Sequence, residues 1–461
     1  MTEKFHTDVL ILGGGSAGYA CAIRAAQLGK SVVLIDVDKV GGTCLHRGCI
    51  PTKALLRAAE VADSARVASA VGVRVTFDGV DLHAVHGYKN RVVDKLYRGL
   101  RGLLDGHQIT TVHGHGTYLG GRDVLVDETL YSGTTLVLAT GSSARMLPGI
   151  ELGERIITSE RALSLDVLPE TAIVLGGGVI GVEFASMWAS FGTKVTVVEA
   201  LPRLVAAEDP WCSTQLERAF KKRGIAVRAA TKVVSATETD AAVAVDLDGG
   251  DRLEADILLV AVGRAPHTGD CGFEENGIAI ERGCVTTDER LRTSVDGVYA
   301  VGDIVAGLQL AHRGFQHGVF VAEDSAGLSP MPVPEHLIPR VVYSHPEVAS
   351  VGLTEDAARE QYGDVATAVY DLAGNGKSQI LGSAGGIKVV RSGGARSNGA
   401  VVGVHMVGDR VAELIGEAQL AVAWEALPTD IAPFIHAHPT QNEALGEAML
   451  VLAGKPLHAH R

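Results

Sequence analysis

Residues 8–36 read DVLILGGGSAGYACAIRAAQLGKSVVLID, and residues 172–199 read AIVLGGGVIGVEFASMWASFGTKVTVVE. Each is an apolar run, a glycine turn, a stretch of helical composition, and a second apolar run closed by an acid. The register between the two is constant: Gly13, Gly15, Gly18, Gly29 and Asp36 recur as Gly176, Gly178, Gly181, Gly192 and Glu199, each 163 positions on. A lone GxGxxG marks many ordinary turns. Two complete copies, each with an acid 23 residues after its first glycine, specify a strand–turn–helix–strand unit that binds a dinucleotide. The first glycine allows the tight turn, the second lets the backbone approach a pyrophosphate, and the third lets helix pack on strand. The phosphates then sit at the helix N-terminus. Asp36 and Glu199 stand where a carboxylate accepts hydrogen bonds from adenosine ribose hydroxyls. A 2′-phosphate would be repelled there, so the second unit is expected to prefer NAD over NADP. Two such units in one chain suggest two redox cofactors in series, one resident and one exchanging, which points to a flavin and a nicotinamide.

The rest of the composition narrows the class. A chain of 461 residues is too long for one core, so several domains are expected. Lys and Arg total 41 against 54 for Asp and Glu, a net charge of −13, which argues against non-specific binding to nucleic acid or an anionic membrane. The apolar run before the first glycines is shorter than the ~7–15-residue core of a secretory signal, and no run reaches the ~18 apolar residues of a membrane span. A cytoplasmic location is expected.

Of the six cysteines, Cys21, Cys44, Cys49, Cys212, Cys271 and Cys284, only Cys44 and Cys49 have a close spacing, within GGTCLHRGCIPTK from Gly41. In a reducing compartment such a pair is more often catalytic or metal-binding than structural. Zinc needs about four ligands, and no second pair supplies them, so no metal is expected and a redox disulfide remains. Residues i and i+5 of a regular helix are displaced by about 7.5 Å along the axis and about 140° around it, beyond the ~7 Å Cα separation a disulfide spans. The segment is therefore expected to be irregular. Gly48 would supply unusual dihedrals and Pro51 a first helical turn, setting Cys49 near a helix N-terminus that favours its thiolate. Two buried, reduced cysteines are the plainer alternative.

Taken with ATGS, AVGR, VGD, LQLAH, YSHPEVASVG and HAHPTQNEALGEA, these motifs make the chain resemble, nearly end to end, the flavin-dependent pyridine nucleotide disulfide oxidoreductases. The resemblance implies an α/β chain of two Rossmann-like dinucleotide-binding domains with a C-terminal α+β dimerisation domain. FAD would occupy residues 1–148, NAD residues 149–270, residues 271–338 would complete the FAD domain, and residues 339–461 would form the interface of a homodimer. It implies cofactor contacts at Thr140, Gly141, Gly263, Asp303 and Ala311, and a Lys53–Glu183 pair near the flavin ring. Cys44 would be the interchange thiol and Cys49 the thiolate against the flavin. His438 would be the acid–base group, reaching the cysteines of the partner subunit, with Glu443 orienting its ring. Thr440-x-x-Glu443 is equally a capping box, in which Glu443 only satisfies a helix start.

The activity implied is oxidation of protein-bound dihydrolipoamide by NAD, with a lipoyl domain and a basic subunit-binding domain of a 2-oxo acid dehydrogenase acyltransferase as partners. An NAD(P)H-dependent reductase of another small disulfide is the nearest alternative, but the acid in VVEALPR stands where basic residues would be expected. Mercuric reductase needs a C-terminal cysteine pair, and no cysteine follows Cys284. A flavoprotein docking subunit without turnover would have no use for Cys44, Cys49, His438 and Glu443 together. Two departures bear on redox poise: His46 and Arg47, where relatives often carry Asn and Val, bring positive charge toward the thiols, and His317 stands where many have Glu. Residues 411–450 hold Glu413, Glu417, Glu425, Asp430, Glu443 and Glu447 but no Lys or Arg. With Val411, Leu414, Ile415, Ala418 and Val422 turned to a core, Glu413 and Glu417 would share another face, either merely solvated or docking the basic partner.

Overall fold

The computed structural model describes residues 3–394 and 398–459. Two compact units divide the chain: Met1–Leu55, His83–Arg145 and Gly263–Glu335 form one, and Leu56–Leu82, Met146–Val262 and His336–Arg461 form the other. The class is α/β, as the sequence implies.

In the first unit the strand Glu3–Leu12 lies parallel between Val32–Asp36 and Thr129–Leu138, with Leu10 opposite both Val33 and Leu136. Thr110–His113 extends the sheet beyond Val32–Asp36, and Val298–Ala300 pairs with Thr129–Leu138. Strands buried on both faces need continuous apolar runs rather than alternation. Leu10, Ile11, Leu34, Ile35 and Leu136 to Leu138 accordingly have no measurable exposure. The chain order reverses beside Glu3–Leu12, and such a switch point opens a crevice at the carboxyl ends of the strands. The helix Ser16–Gln27 rises from that crevice.

The second unit repeats the plan. Lys194–Val198, Thr171–Leu175 and Ile257–Val260 run parallel, with Thr196 opposite Ile173 and Ile173 opposite Leu258, and the helix Val179–Phe191 follows the glycine turn. Further along, a five-stranded antiparallel sheet has Val401–Gly408 at its centre between Glu347–Gly352 and Gly386–Ser392. The helices Val411–Ala423 and Glu443–Leu452 cover it. Val411, Leu414, Ile415, Ala418 and Val422 are buried as their spacing requires, in one core with Val404, Met406, Leu445 and Met449. Among the described residues, no helix is long and apolar enough to cross a membrane.

Candidate active site

The two glycine turns are shaped by exclusion. Gly13 has φ +109°, and a Cβ there would lie 2.2 Å from the carbonyl oxygen of Ala139; at Gly18 it would lie 1.8 Å from that of Gly13. A Cβ at Gly15, by contrast, meets nothing within 4 Å. The second copy matches: 2.4 Å to Ala261 O from Gly176, 1.9 Å to Gly176 O from Gly181, and open space at Gly178. Neither following helix has a side-chain cap, so its first N–H groups face the open side of the turn. Close packing behind a glycine and open space before an uncapped helix end make a cradle that fits a dinucleotide pyrophosphate. Asp36 accepts from Gly14 N and Asp38 N, and Glu199 from Gly177 N and Leu201 N. Each acid thus ties the glycine turn to the end of the second strand. Burial raises the Asp36 carboxyl's pKa, and the two backbone N–H donors oppose that rise.

The cysteine segment is irregular as expected. A short helix, Gly42–His46, ends at Arg47, and a new one, Cys49–Val67, opens on the second cysteine. The reason differs at Gly48. Its φ lies outside the left-handed region, and what a side chain would meet is Thr43 O, 3.1 Å from a Cβ; glycine serves close approach of the two helix ends rather than an unusual dihedral. Cys44 and Cys49 are both half-buried and within hydrogen-bonding reach of each other. The hydrogen bond to Cys49 and burial push the Cys44 thiol well above its ordinary range, while Ser16 and the Lys53 ammonium work the other way. Cys49 stands at the helix start, where the macrodipole favours a thiolate. Ser16, part of the first glycine turn, had no signal of its own in the sequence.

Arg47 and His46, expected to bring positive charge toward the thiols, have partners of their own. Arg47 pairs with Asp38 at 3.3 Å, and His46 bonds Val40 O at 3.0 Å and stands edge-on to Tyr97. His317 is buried and accepts from Gly302 N at 3.4 Å. Burial, helped by Arg313, lowers its pKa to about 3, so a neutral imidazole occupies the position. Asp303 accepts from Ser142 Oγ, which in turn accepts from Arg264 Nε at 2.6 Å. Thr140 Oγ1 donates to His267 O at 2.6 Å, Gly141 and Gly263 have φ +78° and +111°, and Ala311 opens the helix Ala311–Ser325, again without a side-chain cap.

His438 and Glu443 meet: His438 Nδ1 lies 2.8 Å from Glu443 Oε1, and Thr440 N donates to Glu443 Oε2 at 2.7 Å. Both readings of Glu443 therefore hold in part. The capping box itself does not form, because the helix begins at Glu443 and the Thr440 hydroxyl donates to Ala437 O. Desolvation raises the Glu443 pKa, but the bonds from Thr440 N and His438 outweigh it and hold the carboxyl below the usual range. An ionised acceptor at Nδ1 favours the proton there and leaves Nε2 as the acceptor nitrogen of the exposed ring. Glu183 accepts from Tyr343 N at 2.9 Å. The pairing of Glu413 with Glu417 on one solvated face is corrected. Glu417 takes His436 Nε2 at 2.8 Å on one oxygen and Asn442 Nδ2 at 2.6 Å on the other, leaving Glu413 alone outside.

Two family descriptions match the chain: pyridine nucleotide-disulphide oxidoreductase over residues 7–318, and the dimerisation domain of that family over residues 338–449. The dihydrolipoyl dehydrogenase of Bacillus subtilis is 40% identical over 98% of this chain and 99% of its own. The mitochondrial dihydrolipoyl dehydrogenase of Pisum sativum is 36% identical over 98% and 93%. Among solved structures, LpdA of Mycobacterium tuberculosis superposes with a TM-score of 0.89 at 27% identity, covering 97% of this chain and 99% of that one. The HOCl-induced flavoprotein disulfide reductase RclA of Escherichia coli, solved as a Cu(II) complex, gives 0.87 at 26% with the same coverage. With its two nucleotide cradles, its thiol pair and a dimerisation domain that supports a homodimer, the chain belongs to the pyridine nucleotide-disulphide oxidoreductase family, as an oxidoreductase that uses FAD and NAD.

Proposed function

We propose that this enzyme oxidises protein-bound dihydrolipoamide to lipoamide and passes the electrons to NAD. The observation that carries the reading is the thiol pair, hydrogen-bonded across the break between the helices Gly42–His46 and Cys49–Val67. His438 of one subunit, acting on the thiol pair of the partner subunit, takes a proton from the first substrate thiol at Nε2. The substrate thiolate attacks Cys44 Sγ of the Cys44–Cys49 disulfide, and Cys49 leaves as a thiolate stabilised by its helix terminus and Lys53. The second substrate thiol, deprotonated in turn, attacks the substrate sulfur joined to Cys44. That step closes the lipoyl disulfide and expels Cys44, which keeps one proton while His438 releases the other. Gly13, Gly15, Gly18, Asp36, Thr140, Gly141, Asp303 and Ala311 would hold FAD, which would supply a two-electron acceptor between the reduced thiol pair and NAD. Gly176, Gly178, Gly181, Glu199 and Gly263 would hold the nicotinamide dinucleotide, and Lys53 and Glu183 would act near the flavin ring. Glu199, an acid at the ribose, is what supports NAD over NADP.

Residues 1–148 with 271–338 make the FAD domain, 149–270 the NAD domain and 339–461 the interface. The partners are a lipoyl domain and the basic subunit-binding domain of a 2-oxo acid dehydrogenase acyltransferase, in the cytoplasm. The test is NADH formation from free dihydrolipoamide, followed by purification of the native assembly with identification of its acyltransferase. Absence of NADH formation by the flavin-loaded dimer would sink the reading.

A further inference from the structure

We infer that Glu417 is a positioning residue for His438, fixing the segment 436–442 by holding its two ends on one carboxylate. The inference rests on reading His438 as the acid–base group. The segment from Ala432 to Asn442 has no helix or strand, so no ladder of backbone bonds orders it, and Ala437, His438 and Pro439 are exposed. Side chains must supply the order. Glu417 Oε1 lies 2.8 Å from His436 Nε2, and Oε2 lies 2.6 Å from Asn442 Nδ2. One partner precedes His438 by two residues and the other follows it by four. Glu417 is itself anchored, because its helix Val411–Ala423 buries Val411, Leu414 and Ala418 in the core. Bonds to an ionised acceptor are the stronger kind, and they oppose the entropy of a short exposed loop.

The ring of His436 also rests on the next helix. A Cβ at Gly446 would lie 2.7 Å from His436 Nδ1 and 2.8 Å from its Cε1. Gly446 is interior to the helix Glu443–Leu452, where Ala is the better helix former. Gly446→Ala therefore pushes the ring while favouring the helix, which separates loop position from stability.

The experiment compares dihydrolipoamide-to-NAD turnover with NADH-to-ferricyanide turnover in the flavin-loaded dimer, since the second reaction bypasses the thiols and His438. Glu417→Ala is expected to lower the first roughly 10–100-fold, part of the ~10²–10⁴ a positioned base supplies, with the ferricyanide rate and the KM for NAD unchanged. Glu417→Gln should recover much of the loss, because an amide oxygen still accepts from one partner. Gly446→Ala should lower dithiol turnover with a Tm equal to or above the parent's, and it remains readable should Glu417→Ala fold poorly. In a His438→Gln background, Glu417→Ala should add less than about twofold, since a positioning effect needs the group it positions. Losses that multiply in the double variant, or that fall equally on the ferricyanide reaction, overturn the inference alone. Near-parental turnover in His438→Gln itself removes the acid–base reading, and the inference with it.

Discussion

Replacing Glu443 by Gln tests whether its carboxylate works on the imidazole, on the helix start, or on both. The two oxygens have separate tasks: Oε1 meets His438 Nδ1 at 2.8 Å and Oε2 meets Thr440 N at 2.7 Å. A glutamine keeps one acceptor. If its oxygen stays with Thr440 N, the amide NH2 faces Nδ1, and the ring is satisfied only by moving its proton to Nε2, the tautomer that cannot accept from a thiol. If the oxygen goes to His438 instead, the NH2 faces a backbone donor and the loop loses its hold. Either way one bond to a charged acceptor is lost, worth about 1.5–3 kcal/mol. At about 1.4 kcal/mol per factor of ten, turnover should fall roughly 10–100-fold. Initial rates of NADH formation from free dihydrolipoamide, with NADH-to-ferricyanide turnover as control, measure it. A rate within twofold of the parent together with a lowered Tm would mean that the carboxylate serves only Thr440 N, and the reasoning about the tautomer would be refuted.

Cys44→Ser should abolish dihydrolipoamide turnover and leave the ferricyanide reaction intact; retention of most dithiol activity would remove the pair from the redox path. Glu199→Arg should raise the KM for NAD by tenfold or more, with only a modest gain for NADP, because Glu199 also holds Gly177 N and Leu201 N; an unchanged KM would misassign the second cradle. Burial raises the Glu347 pKa to about 7, with Asp409, Glu413 and Glu60 adding to the rise and the bond from Ala412 N opposing it. A folded pKa above the unfolded one means stability that is full below the ordinary carboxylate range and lost as pH rises through about 7. Glu347→Gln should therefore raise Tm at pH 8 and change it little at pH 5, and the opposite order in thermal melts would refute the assignment.

The parts of the site legible in the sequence are those whose constraint is local. Gly13, Gly18, Gly176 and Gly181 are glycines because a Cβ would strike a carbonyl oxygen, and that demand recurs at fixed spacing whatever surrounds it. The cysteine pair is legible for the same reason, since five residues of separation exclude a continuous helix. Gly48 was legible as a break but not in its cause, because a glycine required for close approach reads the same as one required for its dihedral. Partners far apart in the chain left no trace. Ser142 and Asp303 meet across 161 positions, and Arg47 turns to Asp38, nine residues back, where spacing gave no reason to look.

The acidic tract 411–450 shows how an excess of one charge misleads when side-chain partners are unseen. Six acids without a Lys or Arg suggest either a solvated face or a surface for a basic partner. Four of the six are engaged within the tract or its close neighbours. Glu417 holds His436 and Asn442, and Glu443 holds His438 and Thr440 N. Glu447 holds His458 at 2.8 Å and its backbone N–H at 3.0 Å, and Asp430 accepts from Leu427 N at 2.9 Å. The donors that answer these carboxylates are imidazoles, an amide and backbone N–H groups, none of which enters a count of Lys and Arg. Glu413 and Glu425 are the acids of the tract without such a bond among the described residues, and both are exposed, as is Asp430. Much of the acidity of this region therefore orders the loop that carries His438 and the chain after the last helix.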